Sequence, residues 1–82
     1  MNINGETKLT PEVADAIDDM FEYHPWDATK QEAGSRVRFA LAAAVRVIVE
    51  NVPPSPDRST AIRKLREARM DCNSAITHAG KY

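Results

Sequence analysis

Residues 55–80, SPDRSTAIRKLREARMDCNSAITHAG, decide the fold of this chain. Ser55, Pro56 and Asp57 are residue types favoured, in that order, at the N-cap, the first position and the first turn of a helix. No further glycine or proline occurs before Gly80. Apolar side chains recur at spacings of three and four: Ala61, Ile62, Leu65, Ala68, Cys72, Ala75, Ile76 and Ala79. The stretch predicts one amphipathic helix from Ser55 to Ala79 that ends at Gly80.

Two more helices are predicted upstream. Thr10–Pro11–Glu12 repeats the pattern of cap, proline and acid, and the helix that it opens ends before His24–Pro25, since a residue before proline is disfavoured in the α region. Asp27 then caps a long helix from Ala28 to about Asn51.

A short proline-rich loop after this helix predicts that the second and third helices are antiparallel neighbours. The predicted fold is all-α, a short N-terminal helix followed by a long antiparallel helical hairpin. Residues 10–82 form this single domain, and residues 1–9, which lack periodicity, are expected to be flexible.

The middle of the second helix, Phe39 to Val49, is apolar on nearly all sides. One neighbouring helix cannot cover such a surface, so the composition predicts self-association through the helices. The segment is too short to span a bilayer and Arg46 interrupts it. With 82 residues and one cysteine, the chain has no disulfide available to stabilise it. Cys72 is expected to be a buried reduced thiol, and the lone thiol with no signal peptide predicts a cytosolic protein.

Charge is distributed unevenly along the chain. The net charge is −1, but residues 1–27 carry −6 and residues 28–82 carry +5. An acidic arm and a basic body attract each other within one chain or between copies. Ordinary solvated faces explain most of these charges equally well.

The sequence does not predict an enzyme. His24 and His78 lie at helix ends, with no carboxylate at a spacing that defines a metal site or a triad, so no metal and no cofactor is expected. Gly34, inside the long helix, costs about 1 kcal/mol relative to alanine. It is expected to permit the close approach of another helix or of a ligand.

The candidate binding residues are basic, aromatic and amide side chains near the helix ends. Arg69 falls on the apolar stripe of the third helix, where a guanidinium needs an acidic or phosphate partner. The aromatic rings of Tyr23 and Trp26 can stack on a base or a guanidinium. For both residues, packing of the first helix onto the other helices is slightly favoured over this binding role. Asn73 could read the edge of a base. The full candidate set is Trp26, Arg36, Arg38, Arg58, Arg69 and Asn73.

Residues 26–79 resemble the helical-hairpin domain of small bacteriophage proteins that sequester signalling nucleotides, the anti-CBASS and anti-Thoeris sponges. The resemblance rests on two patterns: Trp26 followed by Gln31, Gly34 and Val37–Arg38, and Pro53–x–x–Pro56–Asp57–Arg58–x–x–Ala61–Ile62–x–x–Leu65–x–x–Ala68–x–x–x–Cys72–Asn73–Ser74–Ala75–Ile76. Residues 1–25 match no ligand-binding motif of that family.

This resemblance implies a function without catalysis. Sponges are all-helical homo-oligomers, from dimers to hexamers, that bind cyclic di- or trinucleotides or cyclic ADP-ribose isomers between subunits in the host cytoplasm. It implies a hexamer here, with a dimer or tetramer as the alternatives, in which the arginines bind phosphates, Trp26 or Tyr23 stacks on a base and Asn73 binds the base edge. Two alternatives stay open: a helical assembly protein without a small-molecule pocket, and a nucleic-acid-binding module, which the slightly acidic overall charge disfavours.

Overall fold

The computed structural model describes residue 5 and residues 7–82, and in this part of the chain it contains three α-helices and no strand. Helix α1 spans Pro11–Phe21, α2 spans Ala28–Asn51 and α3 spans Pro56–Thr77. The all-α prediction is confirmed. The flexible segment predicted for residues 1–9 lies partly outside the described residues.

Each helix begins at the N-cap that the sequence predicts. The side chains of Thr10, Asp27 and Ser55 accept hydrogen bonds from the backbone N–H three residues further on, at 3.2, 2.9 and 3.1 Å. Proline follows the cap in α1 and α3, where a missing N–H costs nothing. These local contacts fix where the helices start, because each one satisfies a donor that has no partner inside the helix.

Helix α3 ends earlier than predicted. Ala79 has a positive φ of 52° and Gly80 one of 74°. The N–H of Gly80 donates to the carbonyl of Ala75, and that of Ala79 to the carbonyl of Ile76, which together form a Schellman cap. An alanine in the left-handed region costs roughly 1–2 kcal/mol. This turn accompanies the return of Tyr82 to α1.

Helices α2 and α3 contact each other extensively, whereas α1 makes few contacts with either. The start of α2 lies beside the end of α3, where Lys30 Nζ donates to the carbonyl of Thr77 at 3.2 Å. Across the loop at the other end, Arg58 Nη1 donates to the carbonyl of Val52 at 3.4 Å. Val13 of α1 is the one buried apolar side chain of the described residues.

The chain is extended for its length. Its radius of gyration is 16.8 Å, compared with about 12 Å for a compact domain of this size. Its accessible surface is 6532 Å², compared with about 4,900 Å² for a compact monomer of the same mass. The chain therefore exposes about 1,600 Å² more surface than a compact domain would. Part of this excess lies in residues 7–10, which precede α1 and are exposed.

The exposed surface includes one side of α2. On one side, Leu41, Val45 and Ile48 are half-buried. On the other side, Phe39 is 67% and Val47 58% exposed. Helix α3 thus covers one side of α2 and leaves the other apolar side open. No described helix has the length and hydropathy needed to cross a membrane.

Candidate functional site

A groove between α2 and α3 brings together four of the six candidate binding residues. Its volume is about 280 Å³. On α2, a spacing of three or four residues places Gln31, Ser35 and Arg38 on one face, and on α3 the same spacing pairs Arg69 with Asn73. The groove is lined by Trp26, Gln31, Gly34, Ser35, Arg38, Arg69 and Asn73.

The Trp26 indole lies directly on Gly34. Its Nε1–H donates to Thr77 Oγ1 at 2.7 Å, and its backbone carbonyl accepts from Gln31 Nε2 at 3.1 Å. Gly34 is buried, and a Cβ at this position would lie 2.8 Å from Trp26 Cη2 and closer still to Cζ3. The close approach predicted at Gly34 therefore involves the indole of the same chain, and Trp26 connects the loop before α2 to both long helices.

Arg38 and Arg69 present cationic groups at this groove. Both also border an adjacent apolar cavity of about 150 Å³, which is otherwise lined by Leu41, Ala42, Val45, Leu65 and Arg66. Within residues 5 and 7–82, neither guanidinium has a carboxylate within ion-pair distance. Arg69 is exposed, so its predicted packed position is wrong. The contact between α2 and α3 leaves Arg69 at the rim of the groove.

Arg36 and Arg58 lie outside the groove. Arg36 Nη2 pairs with Glu32 Oε1 at 2.7 Å on the exposed face of α2. Arg58 is in the first turn of α3, about 16 Å along the helix from Arg69. Tyr23 is 89% exposed and does not line the groove. Cys72 is a free thiol, half-buried rather than buried.

Sequence reasoning assigned no candidate role to Gln31 and Ser35, although both line the groove. The helical spacing from Gln31 to Arg38 is the signal that would have found them. The groove therefore combines an indole, two guanidinium groups, two amides and a hydroxyl. These are the side-chain types that stack on bases, pair with phosphates and bind base edges.

A second polar cluster, at Asp19, joins α1 to the end of α3. His24 Nε2 lies 2.7 Å from the Asp19 carbonyl oxygen and 3.5 Å from Asp19 Oδ1. His78 Nδ1 lies 3.9 Å from Asp19 Oδ2, and the two imidazole centroids are 5.1 Å apart. Sequence spacing did not reveal this cluster, because the histidines are 54 residues apart and only the fold brings them to one carboxylate.

Two C-terminal side chains complete the surroundings of Asp19. The Tyr82 hydroxyl donates to Asp19 Oδ2 at 2.7 Å, and Lys81 Nζ lies 3.4 Å from the same oxygen. The Tyr82 hydrogen bond, aided by the charge of Lys81, lowers the pKa of the Asp19 carboxyl below its usual value against the opposing effect of desolvation. The same hydrogen bond raises the pKa of Tyr82, because it stabilises the protonated phenol.

No family model, curated protein or solved structure matches this chain.

The contact between Trp26 and Gly34 predicts that a substitution at Gly34 changes Tm in opposite directions with and without the indole. Gly34→Ala is expected to lower Tm, because the new Cβ overlaps an indole held by Thr77, and overpacking costs about 1–3 kcal/mol. In a Trp26→Ala background the same substitution is expected to raise Tm, since alanine favours a helix by about 1 kcal/mol over glycine. Thermal melts of the parent protein, the two single variants and the double variant measure both effects. Destabilisation of equal size in both backgrounds would contradict the assignment of Trp26 as the neighbour of Gly34.

Proposed function

We propose that this protein binds a cyclic nucleotide signal and sequesters it without cleaving it. The observation that carries the proposal is the groove itself. Four residues chosen from the sequence, Trp26, Arg38, Arg69 and Asn73, line one cavity although they come from a loop and two helices. The resemblance of residues 26–79 to phage nucleotide sponges supports the same function. By this resemblance, the protein would act in the host cytoplasm as an anti-CBASS or anti-Thoeris protein.

The side chains suit the parts of such a ligand. Arg38 and Arg69 have no carboxylate partner within the described residues, and guanidinium groups form strong charge-assisted hydrogen bonds to phosphates. The indole of Trp26 offers a surface on which a base stacks. The amide of Asn73 is half-buried at the groove and presents both a donor and an acceptor to a base edge.

The proposal includes an assembly of several copies. Helices α2 and α3 form an antiparallel hairpin, and hairpins associate through the open apolar side of α2, as a hexamer by resemblance. One chain alone offers a groove of about 280 Å³, at the lower limit of the roughly 300–1,000 Å³ typical of ligand pockets. A second copy would enclose the ligand and exclude water, which tight sequestration requires. In an assembly, Arg36 or Arg58 of a neighbouring copy could reach the same ligand.

Isothermal titration tests the function directly. We expect one ligand class to bind at micromolar protein when the chain is titrated with cyclic dinucleotides, cyclic trinucleotides and cyclic ADP-ribose isomers. The ligand recovered after incubation should be chemically unchanged, as judged by chromatography and mass spectrometry. Linear dinucleotides of the same bases serve as controls. The absence of binding to every cyclic ligand, or recovery of a hydrolysed product, would refute capture without cleavage.

An assembly protein without a small-molecule site is the second candidate. Two observations support it. Residues 1–27, which include α1, carry a net charge of −6, whereas residues 28–82 carry +5. Helix α1 also makes few contacts within its own chain. The acidic α1 of one copy would then dock on the basic surface of another. A thermal-shift screen separates the two functions, because only a bound ligand raises Tm with its concentration.

A further inference from the structure

We propose that Asp19, His24 and His78 form a binding site for a divalent transition metal, with Zn²⁺ as the best-suited ion. The three side chains come from α1, from the loop after it and from the cap of α3, so the site would connect the weakly attached helix to the rest of the chain. Their ligand atoms all lie within 4.8 Å of one another.

The geometry is close to that of a tetrahedral zinc site. Two ligands that each lie about 2.0–2.1 Å from zinc at the tetrahedral angle are about 3.3 Å apart. The observed separations are 3.5 Å from His24 Nε2 to Asp19 Oδ1 and 3.9 Å from His78 Nδ1 to Asp19 Oδ2. One ligand atom from each of the three side chains lies within 4.8 Å of the other two. Binding of one ion would therefore require side-chain rotations that bring the three ligand atoms from within 4.8 Å of one another to about 3.3 Å. His24 would exchange its hydrogen bond with the Asp19 carbonyl for a bond to the metal.

The donor set and its burial favour zinc over harder ions. Two imidazole nitrogens and one carboxylate oxygen suit Zn²⁺, whereas Mg²⁺ and Ca²⁺ prefer oxygen ligands alone. The side chain of His78 is 9% exposed, and those of His24 and Asp19 are 30% and 33% exposed. The site is thus shielded on one side and open on the other, which leaves room for water as the fourth ligand.

Lys81 occupies the position of a competing cation. Its Nζ lies 3.4 Å from Asp19 Oδ2, while its side chain is 62% exposed and free to turn into solvent. The metal would displace this ammonium at little cost. The Tyr82 hydroxyl, 2.7 Å from the same oxygen, would remain as a hydrogen-bond donor that orients the carboxylate.

The test is a Zn²⁺ titration of the full chain in a Cys72→Ser background, which removes its only thiol. We expect one ion to bind per chain and Tm to rise with Zn²⁺ concentration. Asp19→Asn should weaken binding more than about 100-fold, since loss of a ligand exceeds the 10–100-fold typical of outer partners. Lys81→Met should tighten it several-fold by removing the competing cation.

Asp18→Asn is the matched control, because Asp18 is an exposed neighbour on the same helix and is expected to leave affinity unchanged. Titration with Co²⁺ adds a readout of geometry, since a tetrahedral site with nitrogen ligands gives intense visible bands. A His24→Gln variant should lose those bands. Equal Zn²⁺ affinity in the Asp18 and Asp19 variants, or no binding to the parent protein at about 1 mM Zn²⁺, would overturn the proposal. So would unchanged Co²⁺ bands in the His24 variant.

Discussion

Phe39→Asp is expected to leave the protein monomeric. The Phe39 side chain is 67% exposed on the side of α2 that α3 does not cover, and Val47 continues the same face at 58% exposure. These two are the most exposed large apolar side chains of α2. An assembly through this face would therefore bury Phe39.

The size of the effect follows from the cost of the introduced charge. An unpaired charge enclosed in an apolar interface costs about 3–5 kcal/mol, which corresponds to roughly a 10²–10⁴-fold weaker association. A twofold interface contains the substitution twice, once from each copy. Analytical ultracentrifugation over a range of concentrations measures the mass directly.

Leu9→Asp is the control, because Leu9 is 75% exposed and lies before α1 rather than on α2. It should leave the assembly intact. If the parent protein is already a monomer at high concentration, or if the Phe39 variant keeps the parent's mass, assembly through α2 is refuted. Circular dichroism should show the same helix content in both variants.

Arg69→Ala is expected to weaken binding of the cyclic nucleotide about 10- to 100-fold. A charge-assisted hydrogen bond contributes about 1.5–3 kcal/mol, and each 1.4 kcal/mol is a factor of ten in affinity. Arg69 is exposed and has no ion-pair partner in the described part of the chain, so its loss should leave Tm nearly unchanged. Isothermal titration of the variant with the ligand identified for the parent protein measures the effect.

Arg63→Ala provides a matched control on the same helix. Arg63 is exposed, lies near Glu67 at 3.8 Å and does not line the groove. Its removal changes the net charge by the same amount but should not alter affinity by more than about twofold, since surface ion pairs contribute little. Equal losses in the two variants would show that general charge, rather than the groove, attracts the ligand.

The helix starts could be predicted because their causes are local. A cap side chain and the N–H three residues later are neighbours in sequence, so Thr10, Asp27 and Ser55 reveal the starts without any tertiary information. The prediction of where α3 ends was less accurate. Gly80 indicated the stop, but the left-handed conformation begins one residue earlier, at Ala79, and residue propensity alone would not place an alanine there.

The groove was predictable in part. Spacing along α2 and α3 shows which side chains share a face, but it does not show which faces meet. The partner of Gly34 depended on the path of the loop that carries Trp26, and the rim position of Arg69 depended on how α3 lies against α2. The cluster around Asp19 depended on a fold that joins residues far apart in the chain.

The sparse attachment of α1 has a consequence for motion. One buried valine and a polar cluster hold this helix, whereas α2 and α3 contact each other over much of their length. The free energy of local unfolding is therefore expected to be lower for α1 than for α2 and α3. We expect the chain's first eleven helical residues to open as a separate cooperative unit while the long helices stay folded, so that their backbone amides exchange with solvent before those of the long helices.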